Sequence, residues 1–200
     1  MRKTANAIKP DPKEEIIAAA DRILATAGAS AATVRSITAM AGVNTSAVNY
    51  HFGSRDGLFV VICGRRMQPA NQRILARLQE LEQGDTPPAP ADIFRPLVET
   101  AFHIWVQDGV LRALRSLLFT GPEIAERLNI SQMSEVYDRM RAALTRACPH
   151  LTVEQVHQRF AFSIGAIMNQ VYTRDAHLKW IYGEASEDEL VAFIAAGFAG

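Results

Sequence analysis

"AGVNTSAVNYHFGSRDGL", residues 41–58, decides how the rest of the chain is read. Ala41-Gly42 is a tight turn, and Asn44 is placed to cap a helix running to about His51. Gly53-Ser54 breaks that helix, with Ser54 able to cap the next. Val43, Val48 and Phe52 are its apolar positions, Val48 and Phe52 one helical turn apart. Thr45 with Asn49, and Ser46 with Tyr50, form two further i, i+4 pairs lying away from that seam. Small hydroxyls and an amide let a helix approach base edges closely. Asn pairs with adenine, and Ser or Thr with several edges. Tyr50, His51 and Arg55 are within reach of phosphates, contacts that position a protein without reading sequence. The competing interpretation is an ordinary exposed helix in an all-α bundle.

Working outward, the pattern stays helical. Lys13 to Ala27 places Ile16, Ala20, Ile23, Leu24 and Ala27 on one face, and Gly28 stops it. Thr33 occupies an N-cap position before Val34 to Met40. Three short helices with a glycine turn between the second and third make a helix-turn-helix. From Arg55 a long helix is expected to about Glu82, followed by a loop in QGDTPPAPAD, residues 83–92. Further helices are expected over Ile93–Gln107 (with Pro96 in the first turn or at a kink), Val110–Phe119, Ser131–Ala147, Thr152–Thr173 and Glu187–Phe198. Thr152 with Gln155 is a capping-box start. No repeat of fixed period and no low-complexity tract is visible.

The composition, 48% apolar and 21% charged, is that of a soluble globular chain, and no apolar run is long enough for a membrane span. MRKTANAIKPDPKEE has no apolar core, so it is expected to be a flexible arm (1–12) and not a secretory signal. Cys63 and Cys148 are isolated, which fits a reducing cytoplasm. The net charge of zero is uneven. Residues 1–66 hold nine Lys or Arg and five Asp or Glu, 9 − 5 = +4, and residues 67–200 hold twelve and sixteen, 12 − 16 = −4. The basic part suggests an anionic partner.

"TVRSITAMAGVNTSAVNYHFGSRDGLF", residues 33–59, resembles the DNA-binding region of TetR-family transcriptional repressors. The resemblance rests on Ile37, Ala41-Gly42-Val43, Tyr50-His51-Phe52, Gly53-Ser54-Arg55 and Leu58, and extends over about 13–66 with the first helix. Asn49 departs from the aromatic residue common there, which bears on base preference and leaves the fold untouched. The resemblance implies a homodimer on a palindromic double-stranded operator, with residues 13–66 as the DNA-binding domain and 67–200 as an all-helical effector-binding and dimerisation domain. It implies that Thr33 and Arg35 touch phosphates, that Thr45, Ser46, Ala47 and Asn49 face bases, and that Tyr50, His51 and Arg55 clamp the backbone.

In the second domain, "RAALTRACPHLTVEQVHQRFAFSIGAI", residues 141–167, is similar to the matching region of fatty-acid-responsive PsrA-like members of the family. Its large apolar residues include Phe94, Phe102, Trp105, Phe119, Phe160, Phe162, Met168, Tyr172 and Trp180, most of which must be core. Phe102, Trp105, Phe119, Phe162 and Met168 are the expected pocket lining, for a fatty acid or acyl derivative. A multidrug-type pocket for aromatic or cationic effectors is the alternative. Val153, Val156, Phe160, Ile164, Ile167 and Val171, with Leu190, Val191, Ile194 and Phe198, form stripes for a dimer interface or for the domain's own core. His103, His150, His157 and His177 show neither HxxxH nor HExxH spacing, and GxSxG and phosphate-binding glycine loops are absent. No metal, no cofactor and no enzyme activity are expected. The rival class is an all-α enzyme with an unfamiliar site.

Overall fold

In a computed structural model of the chain, residues 11–120, 122–128, 132–173, 183 and 185–199 are described, 116–120 and 122 by backbone alone. His177, Trp180, the Phe119 side chain and residues 1–10 of the expected arm lie outside the described residues. Every regular element among those described is helical: α1 Pro12–Ala27, α2 Val34–Ala41, α3 Ser46–Phe52, α4 Arg55–Glu82, α5 Pro90–Gln107, α6 Gly109–Thr120, α7 Pro122–Leu128, α8 Ser134–Ala147, α9 Val153–Thr173 and α10 Glu187–Ala196. The chain divides within α4 into two compact units, one ending at Ile62 and one beginning at Cys63.

The first unit is built by its caps as much as by its core. Asp11 accepts from the Lys13 amide (2.9 Å) with Pro12 at the first helical position, so α1 starts there. Ile16, Ile17, Ala20, Ile23 and Leu24 are buried, and α1 packs on α2 and α3. Thr33 and Ser36 cap α2 reciprocally: the Ser36 amide donates to Thr33 Oγ1 (3.1 Å) and the Thr33 amide to Ser36 Oγ (3.0 Å). Gly42 ends α2 at φ 66°, ψ 29°, and the Val43 amide donates to the Thr38 carbonyl (3.0 Å). That left-handed closure turns the chain sharply into α3. The Asn44 side chain then accepts from the Ser46 amide (3.0 Å), and Ser54 Oγ accepts from the Gly57 amide (2.9 Å) to start α4.

In the second unit α5 is the central element, packed against α6, α8, α9 and α10. Its buried face carries Ile93, Phe94, Leu97, Val98, Ala101, Phe102, Ile104 and Trp105. The Phe94 ring lies 5.9 Å from Phe160 and 5.5 Å from Phe198, and Tyr137 meets Phe160 edge-on at 5.4 Å. Arg95 reaches Asp188 (2.6 Å) from α5 to α10. Buried Arg115 donates to the Val171 carbonyl (2.7 Å) from α6 to α9. The Thr152–Gln155 capping box is present, the Thr152 amide donating to Gln155 Oε1 (2.9 Å) and the Gln155 amide to Thr152 Oγ1 (3.2 Å).

Four elements differ from the sequence expectation. Helix α5 begins at Pro90 instead of Ile93, three residues into the expected loop, with Pro90 at its first position, so Pro96 lies inside the helix and not in its first turn. Helix α7 was not anticipated, although Pro122 at its start and Glu123 in its first turn are ordinary start signals. Helix α8 begins at Ser134, after a wider π-type turn at Gln132 and Met133, and its expected start at Ser131 lies outside the described residues. The last helix ends at Ala196, two residues early, in turns closed by the Gly197 and Phe198 amides.

Gly42→Ala forces a Cβ into the left-handed region and is expected to destabilise the protein by about 1–2 kcal/mol. Gly42→Asn should recover part of this, since Asn tolerates that conformation. Urea denaturation of both variants checks it, and equal stability of Gly42→Ala and the parent would contradict the turn geometry.

Candidate nucleic-acid interface and ligand cavity

Helix α3 has seven residues and buries two of them, Val48 and Phe52. With those positions turned inward, Thr45, Ser46, Asn49 and Tyr50 are exposed, Tyr50 at 85%, while Ala47 and His51 are half-buried. The exposed phenol ring of Tyr50 stands edge-on to His51, centroids 4.9 Å apart. Among the described residues, the Asn49, Tyr50 and His51 side chains hydrogen-bond to nothing. The Thr45 and Ser46 hydroxyls both donate to Asn44 Oδ1, at 3.3 and 3.2 Å. Their oxygens are therefore presented outward as acceptors.

The flanking candidates behave differently from one another. Arg35 is exposed and makes no ion pair among the described residues. Thr33 is exposed, but its hydroxyl is engaged in the α2 cap. Arg55 is half-buried, its guanidinium 5.3 Å from the Phe59 ring and its Nε 3.5 Å from Asp56. Removing Arg55 would thus remove packing as well as charge.

The second unit holds a cavity of about 230 Å³ that is partly open to the surface. Met67, Asn71 and Ile74 of α4, Leu97, Thr100, Ala101, Ile104 and Trp105 of α5, Ala125 and Leu128 of α7, Met133 and Tyr137 at the start of α8, and Ile164, Ile167 and Met168 of α9 line it. No ionisable carboxylate, amine, guanidinium or imidazole is among them. The polar groups are Asn71, Thr100, Trp105 and Tyr137. Asn71 Nδ2 donates to the Gln132 carbonyl (2.7 Å). Burial pushes the Tyr137 phenol up to about 12, so it stays a neutral donor.

Of the expected pocket residues, Trp105 and Met168 line the cavity. Phe102 is buried but is not in its lining. Phe162 is 76% exposed, which corrects its assignment. It sits two residues from inward-facing Phe160, about half a helical turn round α9. Sequence reasoning missed Asn71, Thr100 and Tyr137. Asn71 left a signal: Met67, Ile74 and Leu78 are buried at helical spacing, and Asn71 interrupts them with an amide.

The expected dimer stripes are mostly core. Val156, Phe160, Ile167, Val171, Leu190, Val191, Ile194 and Phe198 are buried, and Ile164 lines the cavity. Of the stripes only Val153 is exposed, and the other exposed large apolar residues of α9 and α10 are Phe162, Tyr172 and Phe193, the last 71% exposed. Cys63 and Cys148 are buried thiols not joined in a disulfide, and burial pushes the Cys148 thiol up against the opposing charge of Arg159. Among the described residues no acidic, His or Cys group is clustered to hold a metal, and no helix is long and apolar enough to cross a membrane.

The Tyr137 environment has a measurable signature. Its neutral form is favoured by the fold, so its contribution to stability is intact below the ordinary tyrosine value of 10.0 and is lost as pH rises through about 12. In an alkaline absorbance titration one tyrosine should ionise near 12, and Tyr137→Phe should delete that step. A parent protein whose tyrosines all ionise together near the ordinary value would refute the burial.

Comparison with known proteins bears on both regions. Residues 16–62 match the model described as bacterial regulatory proteins, tetR family. Residues 93–197 match the model described as tetracyclin repressor-like, C-terminal domain. No curated protein matches by sequence. Among solved structures, the chain is similar to the multidrug binding protein EbrR complexed with imidazole (17% identity, 96% of this chain and 97% of that one, TM-score 0.61). It is similar also to the fatty acid degradation regulator FadR of Bacillus halodurans (17%, 95% and 94%, 0.60) and to a linker-substituted mutant of HlyIIR (12%, 94% and 96%, 0.59). At such identities the likeness shows the fold. With the two family models together spanning the three-helix unit and most of the second unit, the chain belongs to the tetR family of bacterial regulatory proteins, ligand-responsive DNA-binding regulators of transcription.

Proposed function

We propose that the chain is a cytoplasmic repressor that binds a near-palindromic operator as a homodimer and leaves it when a small apolar or amphipathic effector binds. The observation that carries the operator reading is the outward side of α3, where Thr45, Ser46, Asn49 and Tyr50 are exposed and none contributes to the core. In this reading residues 13–66 are the DNA-binding domain and 67–200 bind the effector and dimerise. Ala47, Thr45, Ser46 and Asn49 face bases, and Thr33, Arg35, Tyr50, His51 and Arg55 hold phosphates. The protein works by binding and not by catalysis.

The dimer is assigned to α9 and α10 through Phe162 and Phe193, large apolar side chains exposed on those two helices. Four helices, two from each subunit, would bury them across a two-fold axis. The effector is assigned to the cavity, whose uncharged lining suits an acyl chain. A multidrug-type cationic ligand is less well served, because among the described residues no carboxylate lines the cavity to pair with it.

Selection of bound duplexes from a random pool should yield a near-palindrome with half-sites about 34 Å apart or a multiple of it. On that operator Asn49→Ala should lose about 1–3 kcal/mol and much less on random DNA. Arg35→Ala should weaken both alike and lower the salt slope by about one. Fluorescence anisotropy over a salt series measures these, and equal losses on operator and random DNA for Asn49→Ala would sink the base-reading role. Phe162→Glu with Phe193→Glu should give monomers in sedimentation velocity with helical content retained, and a dimer of unchanged affinity would move the interface elsewhere. Long-chain acids and acyl-CoAs should release the operator. Release by planar cationic drugs alone would replace the lipid reading with the multidrug one.

A further inference from the structure

A groove between α4 and α5 adjoins the cavity. Its first stretch, about 450 Å³, is lined by Arg73, Ile74 and Arg77 of α4 and by Asp92, Arg95, Glu99, Thr100, His103 and Ile104 of α5, among others. Its second, about 350 Å³, continues past Arg73, His103 and Ile104 to Arg66, Gln107 and Asp108. Ile74, Thr100 and Ile104 line both the first stretch and the cavity. One wall of side chains thus has an apolar space on one side and a charged trough on the other.

The charges in the trough are not equivalent. Arg66 is held by Asp108 (2.6 Å), Arg77 by Glu80 (2.7 Å), and Arg95 by Asp188 (2.6 Å) with Glu99 at 4.0 Å. Arg73 and His103 have no ion pair or hydrogen bond among the described residues, and both are exposed. They line both stretches, so they stand where these meet, beside Ile104. Asp92 and Glu99 also line the first stretch, Glu99 lying 4.0 Å from Arg95, farther than Asp188.

We propose that the effector is an amphiphile with an anionic head: its apolar chain fills the cavity and its head lies in the α4–α5 groove against Arg73 and His103. This rests on the effector reading of the cavity and adds the head-group chemistry. An anion left inside the cavity would be buried with no countercharge among the described lining residues, at a cost that excludes it. Crossing the wall formed by Ile74, Thr100 and Ile104 brings it to a free guanidinium and an imidazole in water, where it is paired and solvated. A carboxylate and the phosphates of an acyl-CoA share that chemistry.

Titration calorimetry on the DNA-free full chain tests it, with octanoic to palmitic acids, their acyl-CoAs and the alcohols of equal chain length as probes. The acids, the acyl-CoAs or both should bind roughly tenfold tighter than the alcohols, a difference of one decade in Kd. Arg73→Ala with His103→Ala should abolish that preference and leave alcohol binding unchanged. Arg77→Ala, which removes a cation already paired with Glu80, should leave the preference intact. Tighter binding of the acids identifies a carboxylate head, and tighter binding of the acyl-CoAs alone identifies phosphate. Equal binding of acids, acyl-CoAs and alcohols, a preference that survives in the double variant, or an equal loss in Arg77→Ala overturns the proposal, as does no binding of any probe. Operator release is measured separately. Selective binding without release would sink the effector reading and leave the head-group site standing.

Discussion

A seven-residue helix does not hold itself together in water, so α3 exists because Val48 and Phe52 are buried in the core of the first unit. Each fully buried side chain of that size stabilises by about 1.5–3 kcal/mol. That burial sets the rotation of the helix about its axis, and the rotation decides which residues are presented. Were the seam one residue further on, Asn49 would be inside and Ala47 outward. The Gly42 turn and the Asn44 cap fix where the helix starts, so direction and register are both determined before any DNA contact is made. The exposed hydroxyls, amide and phenol then cost the fold nothing, since none is needed for packing.

The second unit solves a different problem. A close-packed interior leaves few voids larger than a water molecule. Here helices α4, α5, α7, α8 and α9 surround a space with an amide, a hydroxyl, an indole and a phenol at its wall. Asn71 is tied to the carbonyl of Gln132, within the π-type turn that precedes α8. The irregular turn and the buried amide explain each other, because a carbonyl not consumed by a regular helical ladder is available to an internal donor. Each polar group on that wall is neutral, Tyr137 because burial raises its phenol out of reach of ordinary pH. A space of this kind takes apolar matter with a few hydrogen-bonding atoms and rejects bare charge.

Local chemistry was the legible part of the sequence. The caps at Thr33, Ser54 and Thr152, the stops at Gly28, Gly42 and Gly53, and the span of α4 follow from short-range rules, and each is present as expected. So is the division of α3 into Val48 and Phe52 inside and Asn49 and Tyr50 outside. What failed was the sorting of aromatics by destination. Phe160 and Phe162 are equally apolar and two residues apart, yet one is buried and the other is 76% exposed. Periodicity locates a stripe but cannot say whether core, cavity or a second subunit covers it. Trp105 and Phe102 show the same limit within α5, one at the cavity and the other elsewhere in the interior. Asn71 was the opposite case, a polar residue interrupting a buried stripe, which is a better marker of a cavity wall than any aromatic.

The energetics constrain what an effector can be. Filling the cavity releases an operator only if the filled form prefers an arrangement that binds DNA less well, since equal affinity for both arrangements shifts nothing. A coupling of about 1–3 kcal/mol is the usual scale. Helix α4 is the element through which such a preference can be expressed, because the chain passes from one unit to the other inside it. It supplies Met67, Asn71 and Ile74 to the cavity and begins at Arg55, three residues after α3 ends. A ligand gripping only α5, α7 and α9 would stabilise the second unit without bearing on α4. One that also displaces Met67 and Ile74 acts on the same helix that begins at Arg55 and carries the buried side chains of Leu58, Phe59 and Ile62. On the proposed reading, a tight ligand that leaves Met67, Asn71 and Ile74 in place should bind the free chain in calorimetry without releasing the operator.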